Sequence, residues 1–259
     1  MSFVLSRRQI VKGMAAGMPL AAVLADPVLA RAAARSLQHV SMATADGQKV
    51  SAALAMPAKT PAPAVMLIHE WWGLNDQIMS VAADLGRKGY MALAIDLYDG
   101  KMTNNPDEAR RFLEELDPAR ATDTVMSWIG ALKNRPEATG KVGTVGWCFG
   151  GGWSLNASFA LPVDATVIYY GKVDRPAQQL ARLQGPVLGH FATRDQWINT
   201  AMVSAFEKAM KEAGKKLTVY WYDADHGFAN PTAGQYDRQD AQLAWSRTTE
   251  FFRENLKAA

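Results

Sequence analysis

One cysteine, Cys148, stands in the stretch Gly146-Trp147-Cys148-Phe149-Gly150, between the apolar run KVGTVGW and the segment GGWSLNASFA. The spacing G-x-C-x-G is that of a nucleophile elbow with sulfur in place of oxygen. Its glycines, two before and two after the nucleophile, let a strand and a helix approach closely. In that setting the thiol is turned outward at the amino end of a helix, whose field favours a sulfur anion. By itself the motif equally describes a small buried thiol in a glycine-rich loop. A sulfur nucleophile needs a base, and the chain holds four histidines: His39, His69, His190 and His226. His226, in DADHGFANP, follows both the cysteine and Asp195 of TRDQ, which gives the order nucleophile, acid, histidine. The imidazole would take the thiol proton, and the carboxylate would fix its tautomer. Asp223 and Asp225 compete as orienters but sit so near His226 that they suit the shaping of its loop. His190, inside an apolar run, reads as structural, and His69 does so less firmly.

These residues converge only if the elements carrying them end at one edge. AVMLIH (64 to 69), YMALAIDLY (90 to 98), KVGTVGW (141 to 147), ATVIYYG (165 to 171), PVLGHF (186 to 191) and KLTVYWY (216 to 222) are apolar runs of strand length. Between them fall helical patterns: one behind an Asn75 or Asp76 cap and stopped at Gly89, and one or two over 106 to 134, broken near Asp117-Pro118. Further helices are predicted over 150 to 160, 199 to 214 and 237 to 255. A hairpin turning at Asp46-Gly47 precedes them all. Strands alternating with helices predict a mostly parallel central sheet with helices on both faces, whose ligands gather at the carboxyl ends of the strands. That edge collects His69, Glu70 and Trp71, then Asp96, Cys148, Asp195, Asp225 and His226. Backbone N–H groups of Phe149 and Trp71, from two different loops, are the expected oxyanion donors. Glu70, in HEWWG, directly follows an apolar strand and is expected as a buried carboxylate near the sulfur, or else as one satisfied by local backbone donors.

The 259 residues suffice for one well-packed domain, expected over 35 to 259. A net charge of +3 with no long basic run argues against nucleic acid, and a single cysteine excludes an internal disulfide or a sulfur-rich metal site. No metal and no cofactor are expected, and a monomer is. Residues 1 to 34 carry Arg7-Arg8 in SRRQIVK, a short apolar stretch, and small residues ending at Ala30 or Ala34. They resemble a twin-arginine signal peptide, with the export machinery and a signal peptidase as partners and the periplasm as destination. An ordinary amphipathic N-terminal helix is the alternative reading.

IHEWWGLNDQI, DLY, GKVGTVGWCFGG, YYG, TRDQ and HGFAN together resemble the dienelactone hydrolases, carboxymethylenebutenolidases of the α/β-hydrolase fold, over about 50 to 255. The resemblance implies a catalytic triad of Cys148, Asp195 and His226, with Glu70 pairing with the cysteine during its activation. It implies an oxyanion hole at Trp71 and Phe149, and a carboxylic ester or lactone opened through an acyl enzyme. Founding members grip the substrate's carboxylate with two arginines; the matching places here read Asp99-Gly100-Lys101 and Phe228-Ala229-Asn230. Lys101 could replace the first arginine as a point charge, whereas neutral Asn230 cannot form a bidentate ion pair. With Trp72, Trp147 and Trp197 as further expected lining, a small, flatter or more apolar ester or lactone is the predicted partner. A non-catalytic small-molecule binder on this scaffold, or a cysteine peptidase, are the competing functions.

Overall fold

The computed structural model of the chain describes residues 18–257. Within them lies an eight-stranded sheet in the order β1-β2-β4-β3-β5-β6-β7-β8. Its strands are β1 (Gln38–Ala43), β2 (Lys49–Ala55), β3 (Ala62–Ile68), β4 (Met91–Ile95), β5 (Ala138–Trp147), β6 (Ala165–Tyr169), β7 (Val187–Ala192) and β8 (Leu217–Tyr222). β1 and β2 form the antiparallel hairpin, with Gly47 in the left-handed conformation its turn requires (φ 79°). β2 runs antiparallel to β4, and every pairing from β4 to β8 is parallel. This is the α/β-hydrolase architecture expected above.

The apolar runs of β3, β4, β6 and β7 are buried on both sides because alternate side chains serve different layers, whereas edge strand β8 is largely half-buried. Val65 and Leu67 of β3 pack with Ile78 and Val81 of α3 (Asp76–Arg87) and with Phe252 and Leu256 of α9 (Arg238–Leu256). Ala64, Met66 and Ile68 face the opposite layer, with Val125 and Ile129 of α5 (Pro118–Asn134) and Trp153 of α6 (Phe149–Ala160). α4 (Pro106–Glu115) precedes α5, each opening on proline behind an Asn105 or Asp117 cap. A third cluster joins the short α7 (Ala177–Leu180) and α8 (Thr200–Glu212) to β7 through Leu180, Phe191, Val203 and Phe206.

Two elements differ from expectation. The strand expected over 90 to 98 ends at Ile95, because Asp96 turns its carboxylate back onto the chain, accepting from the Tyr98 N–H at 2.8 Å and the Gly100 N–H at 2.5 Å. The second concerns the stretch read as a leader, which here takes the helical form of its alternative reading. Arg7 and Arg8 lie outside the described residues, but 20 to 34 form α1 (Leu20–Leu24) and α2 (Pro27–Ala34), docked on α3. Val23, Leu29, Ala30 and Ala34 are buried there, the Ser80 hydroxyl donates to the Ala30 carbonyl at 2.9 Å, and Arg31 pairs with Asp76.

The parallel strands bring their carboxyl ends to one edge, where β5 turns into α6 at Cys148. Cys148 has φ 53° and ψ −117°, a left-handed conformation that costs an L-residue about 1–3 kcal/mol. A Cβ on Gly146 would lie 1.9 Å from the Gly150 carbonyl oxygen, so the turn closes only with glycine there. Gly146→Ala is therefore expected to lower the unfolding free energy by roughly 1–3 kcal/mol, read as a lower urea midpoint. A wild-type midpoint would contradict so tight a strand–helix contact.

Candidate active site

Asp195 follows β7 and is itself held by the turn it opens: its Oδ1 accepts the Trp197 and Ile198 N–H groups at 2.8 and 2.9 Å. Its Oδ2 is left for His226, whose Nδ1 lies 2.6 Å away, and the Asp195 side chain is fully buried. Burial alone would raise the Asp195 pKa, yet the hydrogen bond and charge of His226, with the two backbone donors, hold it below the ordinary value. His226 shows the reciprocal effect. Burial disfavours its charge, but hydrogen bonds and charge from Asp195 and Cys148 outweigh it and raise its pKa to about 10. The carboxylate and the sulfur thus both favour the protonated form of the ring.

Cys148 is half-buried, with its N–H donated to the Tyr169 carbonyl at 3.0 Å, which ties the turn to the end of β6. Its carbonyl accepts from Gly151 and Gly152, so the first turn of α6 starts directly behind the sulfur. The Phe149 N–H, first in that helix, has no intrahelical acceptor. Among the described residues the Trp71 N–H makes no hydrogen bond either. Two N–H groups, one on each of two loops, are therefore left without a backbone acceptor.

Glu70 is 4% exposed and satisfied by side chains, not by the local backbone. Its Oε1 accepts from the Tyr170 hydroxyl at 3.2 Å and its Oε2 from the Asn230 amide at 2.5 Å. No hydrogen bond joins it to Cys148 among the described residues; the charge of His226 acts on it. Burial raises its pKa, only partly offset by the Asn230 bond, the His226 charge and the Tyr170 bond. Tyr170 had no expected role. It directly follows β6, has φ 35°, and sets its ring edge-on to His226 at 5.0 Å. Its place just after an apolar strand, in YYG, is the signal that could have found it.

Three of the expected lining residues lie elsewhere. Asn230 is 1% exposed, with its Nδ2 on Glu70 and its Oδ1 accepting from the Thr232 N–H and hydroxyl, so it supports the site from behind. Trp147 is buried and stacked on Tyr169, since the residue before the elbow points into the α3 and α9 layer. Lys101 is exposed and paired with Glu115 at 2.8 Å. Trp72 packs against half-buried Trp71 at 4.7 Å, and Trp197, 69% exposed, lies edge-on to His226 at 5.1 Å. Two cavities flank these residues. One of about 400 Å³ is walled by Leu20, Val81, Trp147, Tyr236 and Trp245, and one of about 160 Å³ by Tyr98, Lys101, Phe112 and Arg120. Neither includes Cys148 in its walls. His190 is structural, as expected: it lies between the Tyr222 and Thr248 hydroxyls at 2.8 and 3.0 Å, and burial lowers its pKa to about 3. Among the described residues no cluster of three or more His, Cys, Asp or Glu could hold a metal.

The fold and this strand-edge arrangement define an α/β-hydrolase of the hydrolytic type. Residues 50–256 match the model of the dienelactone hydrolase family, and the chain belongs to that family. It is 31% identical to protein usf of Aquifex pyrophilus, over 82% of this chain and 96% of that protein. It is 26% identical to the carboxymethylenebutenolidase of Pseudomonas putida, over 83% and 95%. Among solved structures it resembles a dienelactone hydrolase-like promiscuous phosphotriesterase from metagenomic libraries in fold, with a TM-score of 0.77 at 23% identity, over 85% and 99%.

Because Asp195 and Cys148 together keep the proton on His226, Asp195→Asn should move the ring's titration, followed by NMR, from about 10 toward its ordinary 6.5. The sign follows from the raised folded value: the stability this pair contributes is complete below pH about 6.5 and is lost as pH rises through about 10. A ring that titrates unchanged in the variant would contradict Asp195 as the source of the shift.

Proposed function

We propose that this protein is a cysteine-dependent hydrolase of a neutral lactone or carboxylic ester. The observation that carries the reading is the 2.6 Å hydrogen bond between His226 and buried Asp195, together with the glycine-closed elbow that holds Cys148 at the start of a helix. In this mechanism the Cys148 sulfur attacks the carbonyl carbon as an anion, and a C–S bond forms. The carbonyl electron pair moves onto oxygen, which the Trp71 and Phe149 N–H groups stabilise. The oxyanion then collapses, the C–O bond breaks, and His226 gives its proton to the leaving oxygen. Water attacks the thioester while neutral His226 takes its proton; the acid leaves and the sulfur anion and imidazolium are restored.

The substrate side follows from Glu70. Its oxygens are held by a neutral amide and a hydroxyl, where founding family members would place a guanidinium at the position of Asn230. A substrate carboxylate would meet a buried acid and no paired cation, whereas a neutral lactone meets no such charge. Half-buried Trp71 and Trp72 and exposed Trp197 offer it aromatic surface.

Export by the twin-arginine route to the periplasm, with cleavage after Ala30 or Ala34, is part of the same proposal and is supported by SRRQIVK and the small residues that follow. Such cleavage requires α2 to leave α3, since both alanines are buried in that helix.

Cys148→Ala is expected to abolish hydrolysis of p-nitrophenyl acetate, and unchanged turnover would overturn the nucleophile. A neutral lactone should be favoured in kcat/KM over its carboxylate-bearing analogue by about tenfold or more, and preference for the acid would contradict the role given to Asn230. Blocking twin-arginine export should leave uncleaved protein in the cytoplasm, and a mature periplasmic pool that persists would contradict the route.

A further inference from the structure

We propose that His69 is a positioning residue for the reaction: it orients the Glu70–Trp71 peptide so that the Trp71 N–H is presented to the developing oxyanion. The inference rests on the hydrolytic reading above. Its ground is the hydrogen bonding around a histidine buried at the end of β3.

The His69 side chain is fully buried, and both ring nitrogens are used. The Leu97 backbone N–H points at Nε2 from 3.1 Å. An amide can only donate, so Nε2 must be the unprotonated nitrogen. Nδ1 therefore bears the hydrogen, and it lies 2.6 Å from the carbonyl oxygen of Glu70. Two backbone groups thus fix one tautomer: neutral, donating from Nδ1. Burial, the largest influence on the ring, also disfavours its charged form. The oxygen that His69 holds belongs to the peptide whose nitrogen is that of Trp71. It accepts a second, longer bond from the Gly73 N–H at 3.3 Å. In a trans peptide the N–H points opposite to the C=O, so fixing the carbonyl on one side aims the Trp71 N–H to the other. A carbonyl that accepts hydrogen bonds also polarises its peptide, which makes that N–H a stronger donor.

The same ring touches the second donor loop. It stacks on Phe149 with centroids 5.9 Å apart and planes at 26°, and it contacts Tyr98 at 4.8 Å. Gly150 comes so near the end of β3 that a Cβ on it would lie 2.2 Å from the Ile68 oxygen and 2.4 Å from the His69 oxygen. One side chain therefore bonds the loop of the first donor and packs on the residue that bears the second. His69 touches neither the sulfur nor His226 by any hydrogen bond described, so its effect on the rate passes through the backbone.

Two substitutions separate the ring's hydrogen bonds from its packing. His69→Phe keeps a ring against Phe149 and Tyr98 and deletes both nitrogen functions, while His69→Gln can still donate to Glu70 and accept from Leu97. The assays are p-nitrophenyl acetate hydrolysis, which builds an oxyanion, and alkylation of Cys148 by iodoacetamide, which does not. For His69→Phe, kcat should fall by about 10–100-fold, less than the full loss of one oxyanion donor, with KM and the alkylation rate near wild type. His69→Gln should recover most of kcat. Wild-type kcat in His69→Phe, a parallel fall of hydrolysis and alkylation, or a His69→Gln enzyme as slow as His69→Phe would each overturn the proposal. Should His69→Phe fail to fold, a kcat loss beyond about 100-fold in folded His69→Gln with intact alkylation would overturn it equally. Failure of the hydrolytic reading itself is seen separately, as full turnover in Cys148→Ala.

Discussion

A β-carbon on Gly146 would strike the Gly150 oxygen, and one on Gly150 would strike the Ile68 and His69 oxygens. This absence of side chains lets β5, α6 and the end of β3 meet almost backbone to backbone. Cys148 is held between them in a left-handed conformation, and its own N–H is anchored on Tyr169. From that contact follow the exit of the sulfur at the strand edge, the start of α6 behind it, and the closeness of that helix to the end of β3. The core on both faces of the sheet bears the local strain. Packed clusters of this kind deform little, so the elbow has nowhere to relax.

Around the elbow, charge is arranged in an order that burial would oppose. Buried Asp195 and Cys148 both favour the protonated form of His226. The Trp197 and Ile198 amides stabilise the Asp195 carboxylate without competing for the oxygen that faces the ring. Glu70 stands apart from this line. Its oxygens are occupied by Tyr170 and Asn230, and the charge of His226 reaches it without a hydrogen bond.

The alternation of apolar runs with helical periods was enough to expect the parallel sheet, and the elbow was legible from two glycines and their strand–helix setting. The line from Asp195 to His226 was legible too, since each residue lies a few positions past a strand end in an order that topology constrains. Other features are set by side-chain direction, which a period alone does not fix. Trp147 precedes the nucleophile yet points into the core, and Asn230 follows the histidine yet turns back onto Glu70. Tyr170 sits at a strand end as the other site residues do, but no motif marks its contact with a carboxylate a hundred residues earlier. The helix that docks as α2 on α3 was legible only as an alternative to a leader, because alanines at peptidase-like spacing also make a good helix face.

The account turns on sulfur as the attacking atom. Its most direct measurement is rapid acid quenching of the enzyme during turnover of a slow neutral ester, followed by peptide mass spectrometry. The account predicts one acyl group on the peptide that contains Cys148, formed and lost at rates compatible with turnover. Steady turnover with no acyl group on that peptide, or with the acyl group on another residue, would contradict it.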